Sequence, residues 1–184
     1  MALIGDGIGR PGGAWADLGS GSGAFTAALA GLLGAEARLW SVDLDARAIR
    51  AQQGEMAERF AGVEFHPIVG DFTGDLPLPR LDGILLANSL HFQEDACEVL
   101  AHVAQWLTPA GRLIVVEYDI GMPNPWVPHP VPLSALPRAA ECAGLSPPRL
   151  LGTHPSRYHR RMYAAVLSSR GSAPARGQSA PVVR

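Results

Sequence analysis

Asp17, Gly19, Gly21 and Gly23 fall on alternate positions of the segment Ala14-Trp-Ala-Asp17-Leu-Gly19-Ser-Gly21-Ser-Gly23. Glycines spaced this way admit positive φ and leave bare backbone against which a ligand can lie. The helix expected directly after them presents free N–H groups to that ligand. A nucleotide-type cofactor fits such a loop, and an ordinary strained turn is the plainer alternative. Two further acidic positions follow. Val42-Asp43-Leu44-Asp45 lies twenty residues beyond Gly23, where a carboxylate could take both hydroxyls of a ribose in two charge-assisted hydrogen bonds. Gly70-Asp71-Phe72 comes next, and its acid could equally be a common turn carboxylate. Asn88, Ser89, His91 and Phe92 form a polar and aromatic cluster, and Glu117, Tyr118 and Asp119 another. His91 is the natural general base, since an unperturbed imidazole titrates near neutrality. Its other reading is a hydrogen bond that fixes a loop.

Composition narrows the chemistry. The chain has 184 residues, 47% hydrophobic and 17% charged, which suits one soluble domain. A domain of this size needs no disulfide or metal staple. The two cysteines, Cys97 and Cys142, form no CxxC pair, so neither a zinc site nor a secreted disulfide framework is expected. All 15 basic residues are arginine. Schiff-base catalysis and a Walker phosphate loop, which both need lysine, are excluded. A net charge of −2 gives no pull toward nucleic acid or anionic lipid. The start MALIGDGIGRPGG does not read as a signal peptide, and the longest uncharged run, Leu18–Ala35, holds five glycines and makes a poor membrane span. A cytoplasmic protein with no metal is expected.

Hydrophobic periodicity places these residues on elements. Strands are expected over Ala14–Leu18, Arg38–Val42, Val63–Val69, Leu81–Ala87, Arg112–Tyr118, Arg149–Gly152 and Arg161–Ser168. Helices are expected over Gly23–Leu33, Ala46–Phe60, Glu94–Leu107 and Leu133–Ala143, with Asp45 capping the second. The alternation implies parallel βαβ units with helices on both faces of the sheet. About eight residues join the last two strands, too few for a crossover, so those two should be antiparallel neighbours. Gly121–Pro132, with five prolines, reads as an ordered loop over one end of the sheet, where Trp126 and His129 could wall a substrate. His154, Arg157, Tyr158, His159, Arg160 and Arg161 crowd the last connection, as a grip for an acidic substrate or as a solvated turn. Residues 170–184 read as a disordered tail after a domain spanning 1–169.

The pattern DxGxGxG, rather than the dinucleotide-binding GxGxxG, resembles the first motif of class I S-adenosylmethionine-dependent methyltransferases. The acids after the second and third strands stand in matching order. So do Asp82-Gly-Ile-Leu-Leu-Ala-Asn88-Ser-Leu-His91-Phe92 and Leu107-Thr-Pro-Ala110-Gly111, the latter with Ala110 in place of a glycine. The resemblance covers about Pro11–Ser168. It implies a Rossmann-like, doubly wound α/β sheet of seven strands, mostly parallel, with the antiparallel last strand inserted beside the fifth. It also implies that Asp17, Gly19, Ser20, Gly21, Gly23, Asp43, Leu44, Asp71, Phe72 and Asn88 bind S-adenosylmethionine. Asp43 would hold the ribose and Asp71 the adenine amino group.

In this family the cofactor carries the reactive methyl, and the protein mainly positions it against an O, N or C acceptor. The resemblance places His91 beside the methyl, as base or as loop anchor, and Tyr118, Trp126 and His129 near the acceptor. The segment after the fourth strand lacks the Asp/Asn-Pro-Pro-Tyr motif of amine methylation, which points to small-molecule acceptors. About thirteen residues precede the first strand, too few for a covering helical cap. The site is therefore expected to be open, closed by a homodimer or partner subunit, or suited to a large substrate. A non-catalytic module that binds the same cofactor and a nicotinamide-dependent reductase are the competing readings.

Overall fold

The computed structural model describes residues 3–156 and 161–169. Arg157, Tyr158, His159, Arg160 and the expected tail lie outside the described residues. The elements run α1 (Gly5–Ile8), β1 (Gly13–Leu18), α2 (Ala24–Leu33), β2 (Ala37–Asp43), α3 (Ala46–Arg59), β3 (Glu64–Val69) and β4 (Leu81–Ala87). A single 3-10 turn (Leu90–Phe92) follows, then α4 (Ala96–Ala104), β5 (Leu107–Tyr118), α5 (Leu136–Cys142), β6 (Arg149–Pro155) and β7 (Arg161–Ser168). The strands form one sheet in the order β3-β2-β1-β4-β5-β7-β6. Only β7 runs against its neighbours, pairing antiparallel with both β5 and β6.

Strand alternation sorts side chains onto the two faces. Ala14, Ala16 and Leu18 of β1, Ile84 and Leu86 of β4, and Leu113 and Val115 of β5 pack with Val99, Leu100 and Val103 of α4 and Leu136 and Ala140 of α5. The opposite residues, Trp15, Leu85, Ile114 and Val116, pack with Leu29 and Leu33 of α2, Met56 of α3, and Ile4 and Ile8 of α1. The same alternation decides where two buried acids go. Asp17 falls on the α2 face, and Glu117 on the face of α4 and α5.

Several boundaries differ from the sequence reading. The short α1, not expected at all, forms because Ile4 and Ile8 bury their side chains. β5 begins five residues early, at Leu107, and the register shifts between Leu81 and Gly83 to absorb the Thr-Pro-Ala-Gly stretch. α4 starts at Ala96 because the Asp95 carboxylate accepts from Cys97 and Glu98 N–H. Asp45 caps α3 as expected, accepting from Arg47 N–H at 2.8 Å.

One expectation is overturned. Cys97 and Cys142 form a disulfide, joining the first turn of α4 to the end of α5 across 45 residues. Spacing hides this pair. The two helices lie on the same face of the sheet, and their packing brings the cysteines together.

Candidate active site

A cleft of about 760 Å³ opens where β1 and β4, adjacent in the sheet, send their chains in opposite directions. Open α/β sheets place ligands at this switch point. The β1–α2 loop forms the floor, the ends of β2 and β3 one wall, and the segment after β4 the other.

The loop is built to stay in place without a ligand. Gly19 and Ser20 N–H both donate to Val42 O, at 2.9 and 3.0 Å. Gly19 has φ +74°, and a Cβ there would lie 2.4 Å from Ser89 Cβ, so no other residue fits between the loop and the post-β4 segment. Gly23 (φ +85°) similarly leaves its space to Gln52, whose Cγ would stand 2.6 Å from an added Cβ. Gln52, 2% exposed, donates from Nε2 to Gly21 O (2.8 Å) and Ser20 Oγ (3.0 Å). Its Oε1 accepts from Ser41 Oγ at 2.7 Å, and Ser41 Oγ lies 2.7 Å from Ser20 Oγ. One amide and two hydroxyls thus close a buried ring of hydrogen bonds beneath the loop.

Asp43 ends β2 with one oxygen on Gly21 N–H (2.7 Å) and the other on Asp45 N–H (2.8 Å). A carboxylate has about four acceptor sites, so one on each oxygen is still open toward the cleft. Leu44 beside it is 72% exposed and lines the cleft. Asp71 accepts through Oδ1 from Thr73 N–H and Oγ1, an Asx turn that leaves Oδ2 free of these bonds. Phe72 is mostly buried under Gly19 and shows one edge to the cleft.

The opposite wall carries the strain. Asn88 is the one non-glycine residue at positive φ (53°) among the described residues, and its buried Oδ1 has no hydrogen-bond partner. Asparagine tolerates that conformation better than most non-glycine residues, but an orphaned acceptor costs free energy, and such costs concentrate at functional sites. Ser89 Oγ donates to Leu18 O at 2.8 Å, tying β4 to β1 at the same level.

Other residues singled out from sequence stand elsewhere. Asp17 lies wholly buried beneath the loop, accepting from Thr26 Oγ1 of α2 at 2.7 Å, with its second oxygen unpartnered. Burial lifts its carboxyl from 3.8 to about 7; the Thr26 hydroxyl opposes that rise and the Asp43 charge adds to it. Gly23 caps α2 behind the cleft surface. His91 is 2% exposed, with Nδ1 2.6 Å from Glu117 Oε2. Glu117 Oε1 also accepts from the Leu90 and His91 N–H groups (3.0 and 3.2 Å), so this buried acid organises the whole turn after β4. Tyr118 lies against the His91 ring, at 5.9 Å between centroids. Trp126, exposed, and His129 stand on the proline-rich loop. His129 lines a separate cavity, and its N–H donates to His91 O at 3.0 Å. Asp119 anchors this loop, taking Leu133 N–H at 3.0 Å and pairing with Arg161. Burial pushes its carboxyl up, but the Arg161 and Leu133 hydrogen bonds and the guanidinium charge outweigh it and hold it low.

Sequence reasoning missed Gln52 and Gln93. Gln52 carried a signal: it sits three residues after Ile49 and four before Met56 on the buried face of α3, where a polar residue needs partners. Gln93 carried none, because only the fold brings it to the cleft.

The strand order, the reversed β7 and the glycine loop at the switch point are those of the Rossmann-like methyltransferase fold. A family model described as a methyltransferase domain matches residues 16–111, just over half of the chain, and the chain belongs to that family. Solved structures share the fold at low identity. The 1,6-didemethyltoxoflavin N1-methyltransferase of Burkholderia thailandensis aligns with a TM-score of 0.70 at 20% identity, over 91% of this chain and 74% of that one. The magnesium protoporphyrin IX methyltransferase of Synechocystis PCC 6803 gives 0.69 at 19%, over 91% and 74%. An O-methyltransferase of neocarzinostatin biosynthesis gives 0.65 at 22%, over 85% of this chain, which spans only 49% of that one. No curated protein matches the chain.

Proposed function

We propose that the chain is an S-adenosylmethionine-dependent methyltransferase acting on a small-molecule acceptor. The observation that carries this reading is the charge of the cleft. Among the described residues, its charged lining residues are Asp43 and Asp71, and no arginine or histidine lines it. A dinucleotide brings a pyrophosphate, which such a wall repels, whereas a sulfonium with an ammonium group brings positive charge that it attracts. The residues present fit that cofactor. The two open acceptor sites of Asp43 match the paired ribose hydroxyls. Leu44, the Phe72 edge and Asp71 suit an adenine ring and its amino group. Asn88, on the opposite wall, lines the same cleft.

When bound, S-adenosylmethionine supplies an activated methyl group. The chain contributes position. Gln52 and Ser41 hold the glycine loop, and Glu117 and His91 hold the turn that carries Asn88 and Phe92 against the cleft. His91, with Nδ1 committed to Glu117, serves in this reading as a positioning residue. The neighbours give the acceptor class some support: the toxoflavin enzyme was solved with 1,6-didemethyltoxoflavin and S-adenosylhomocysteine, and the neocarzinostatin enzyme with S-adenosylhomocysteine and 1,4-dihydroxy-2-naphthoic acid. No helix among the described residues is long and apolar enough to cross a membrane.

Titration calorimetry tests the reading. Saturable heat is expected with S-adenosylmethionine and S-adenosylhomocysteine, and none with NADH or NADPH. Nicotinamide binding in place of the adenosyl compounds would reject it.

A further inference from the structure

A second cavity, of about 360 Å³, lies between the proline-rich loop, the start of α4 and α5. Gln93 lines both this cavity and the cofactor cleft, so the two spaces share a wall. We propose that this cavity is the acceptor site and that it selects an uncharged, ring-sized apolar molecule, its nucleophilic hydroxyl or amino group lying on the Gln93 side where the two spaces meet. The inference rests on the cofactor reading above and adds the class of acceptor.

Size and composition support it. The volume falls at the lower end of the range for small-molecule sites, which are mostly apolar with a few placed polar groups. Here Pro128, Pro130, Ala96 and Ala139 are among the apolar lining, and the polar side chains among the described lining residues are those of Gln93, Glu94 and His129. Among the described lining residues the one formal charge is the Glu94 carboxylate and none is arginine, so an anionic acceptor would meet its repulsion. Of the arginines that read from sequence as a grip for an acidic substrate, Arg161 opens β7 and is already paired with Asp119, and Arg157 and Arg160 lie outside the described residues.

The walls are also held before any ligand arrives. One side is tied down by His129 N–H on His91 O (3.0 Å), by Tyr163 Oη donating to Val131 O (2.8 Å), and by Leu133 N–H on Asp119 (3.0 Å). The Cys97–Cys142 disulfide pins α4 to α5 on the other side, beside Ala96 and within one turn of Ala139. A site fixed in this way loses little freedom on binding a small apolar ligand.

The test uses the full chain with its disulfide intact, saturated with S-adenosylhomocysteine. Binding of 1-naphthol and 2-naphthol is compared with 1-naphthoate and 2-naphthoate by calorimetry and saturation-transfer NMR. At least one naphthol is expected to bind roughly tenfold more tightly than its carboxylate counterpart. Ala139→Trp, which fills the cavity from α5, is expected to weaken naphthol binding by roughly tenfold or more while S-adenosylhomocysteine affinity stays within about twofold. Ala135→Phe, at an exposed rim position, decides the matter if Ala139→Trp fails to fold. Absence of naphthol binding, equal binding of the carboxylates, or naphthol binding untouched by the filled cavity overturns the proposal. If S-adenosylhomocysteine itself does not bind, the cofactor reading fails instead, and the same probes on the free protein still judge the cavity.

Discussion

Gln52 of α3 donates from its side-chain amide to the carbonyl of Gly21, 2.8 Å away, across 31 residues of sequence. The glycine loop is therefore held from beneath by a helix whose sequence reads as merely amphipathic. Gln52→Met keeps the side-chain volume and removes the amide, leaving Ser20, Ser41 and Gly21 O to find new partners. An unsatisfied buried group costs about 1–3 kcal/mol, so a stability loss of about 2–4 kcal/mol is expected. S-adenosylhomocysteine affinity should fall by about tenfold beyond that, because the loop loses its shape. Calorimetry on folded variant at low temperature separates the two effects, and unchanged affinity would make Gln52 purely structural.

Asp43→Ala should abolish measurable S-adenosylhomocysteine binding with the fold retained by circular dichroism. Two hydrogen bonds to a charged acceptor are worth about 3–6 kcal/mol together, a loss of about two to four powers of ten in affinity. Near-normal binding would mean that the ribose lies elsewhere.

Asp17 gives the pH dependence of stability a definite sign. Its carboxyl titrates at about 7 in the folded chain because it is buried, against 3.8 when free. Between those values the folded state holds a proton that the unfolded state has released. The stability this group contributes is complete below 3.8 and is lost as pH rises toward 7, after which it stays level. Asp17→Asn cannot ionise. Subtracting its unfolding free energy from that of the parent chain should isolate a decline across this window, measured by urea unfolding from pH 4 to 8. A flat difference would place Asp17 in a more polar setting.

The disulfide should stabilise the chain by limiting its unfolded state. Closing a loop over the 45-residue separation is worth about 4 kcal/mol in the chain-entropy account. Cys97→Ser with Cys142→Ser should lower the melting temperature by that equivalent. Thiol titration of the unreduced, denatured chain should find Cys97 and Cys142 unreactive until reductant is added.

Glu117→Gln should be tolerated better than Glu117→Ala. The amide oxygen can still accept from Leu90 and His91 N–H, whereas alanine strands both donors and the His91 ring. A cost of about 3–5 kcal/mol is expected for alanine, read from chemical unfolding. Equal effects of the two substitutions would show that the turn does not depend on this acceptor.

Much of this protein was legible along the chain because the signals were local. The strand β4 and the terminal β6–β7 pair follow from apolar runs and from a connection too short to cross over. The glycine spacing and the acid at Asp43 announce a loop and a strand-end carboxylate, since each depends on residues within a few positions. Tertiary packing decided the rest. The facing of α4 and α5 joined Cys97 to Cys142. Burial against α2 raised the Asp17 carboxyl, and the pleat of β5 turned Glu117 inward to meet His91. The same packing set Gln52 under the glycine loop and Gln93 between two cavities. Distance, burial and the pairing of distant polar groups are properties of the folded volume, and no window of neighbouring residues contains them.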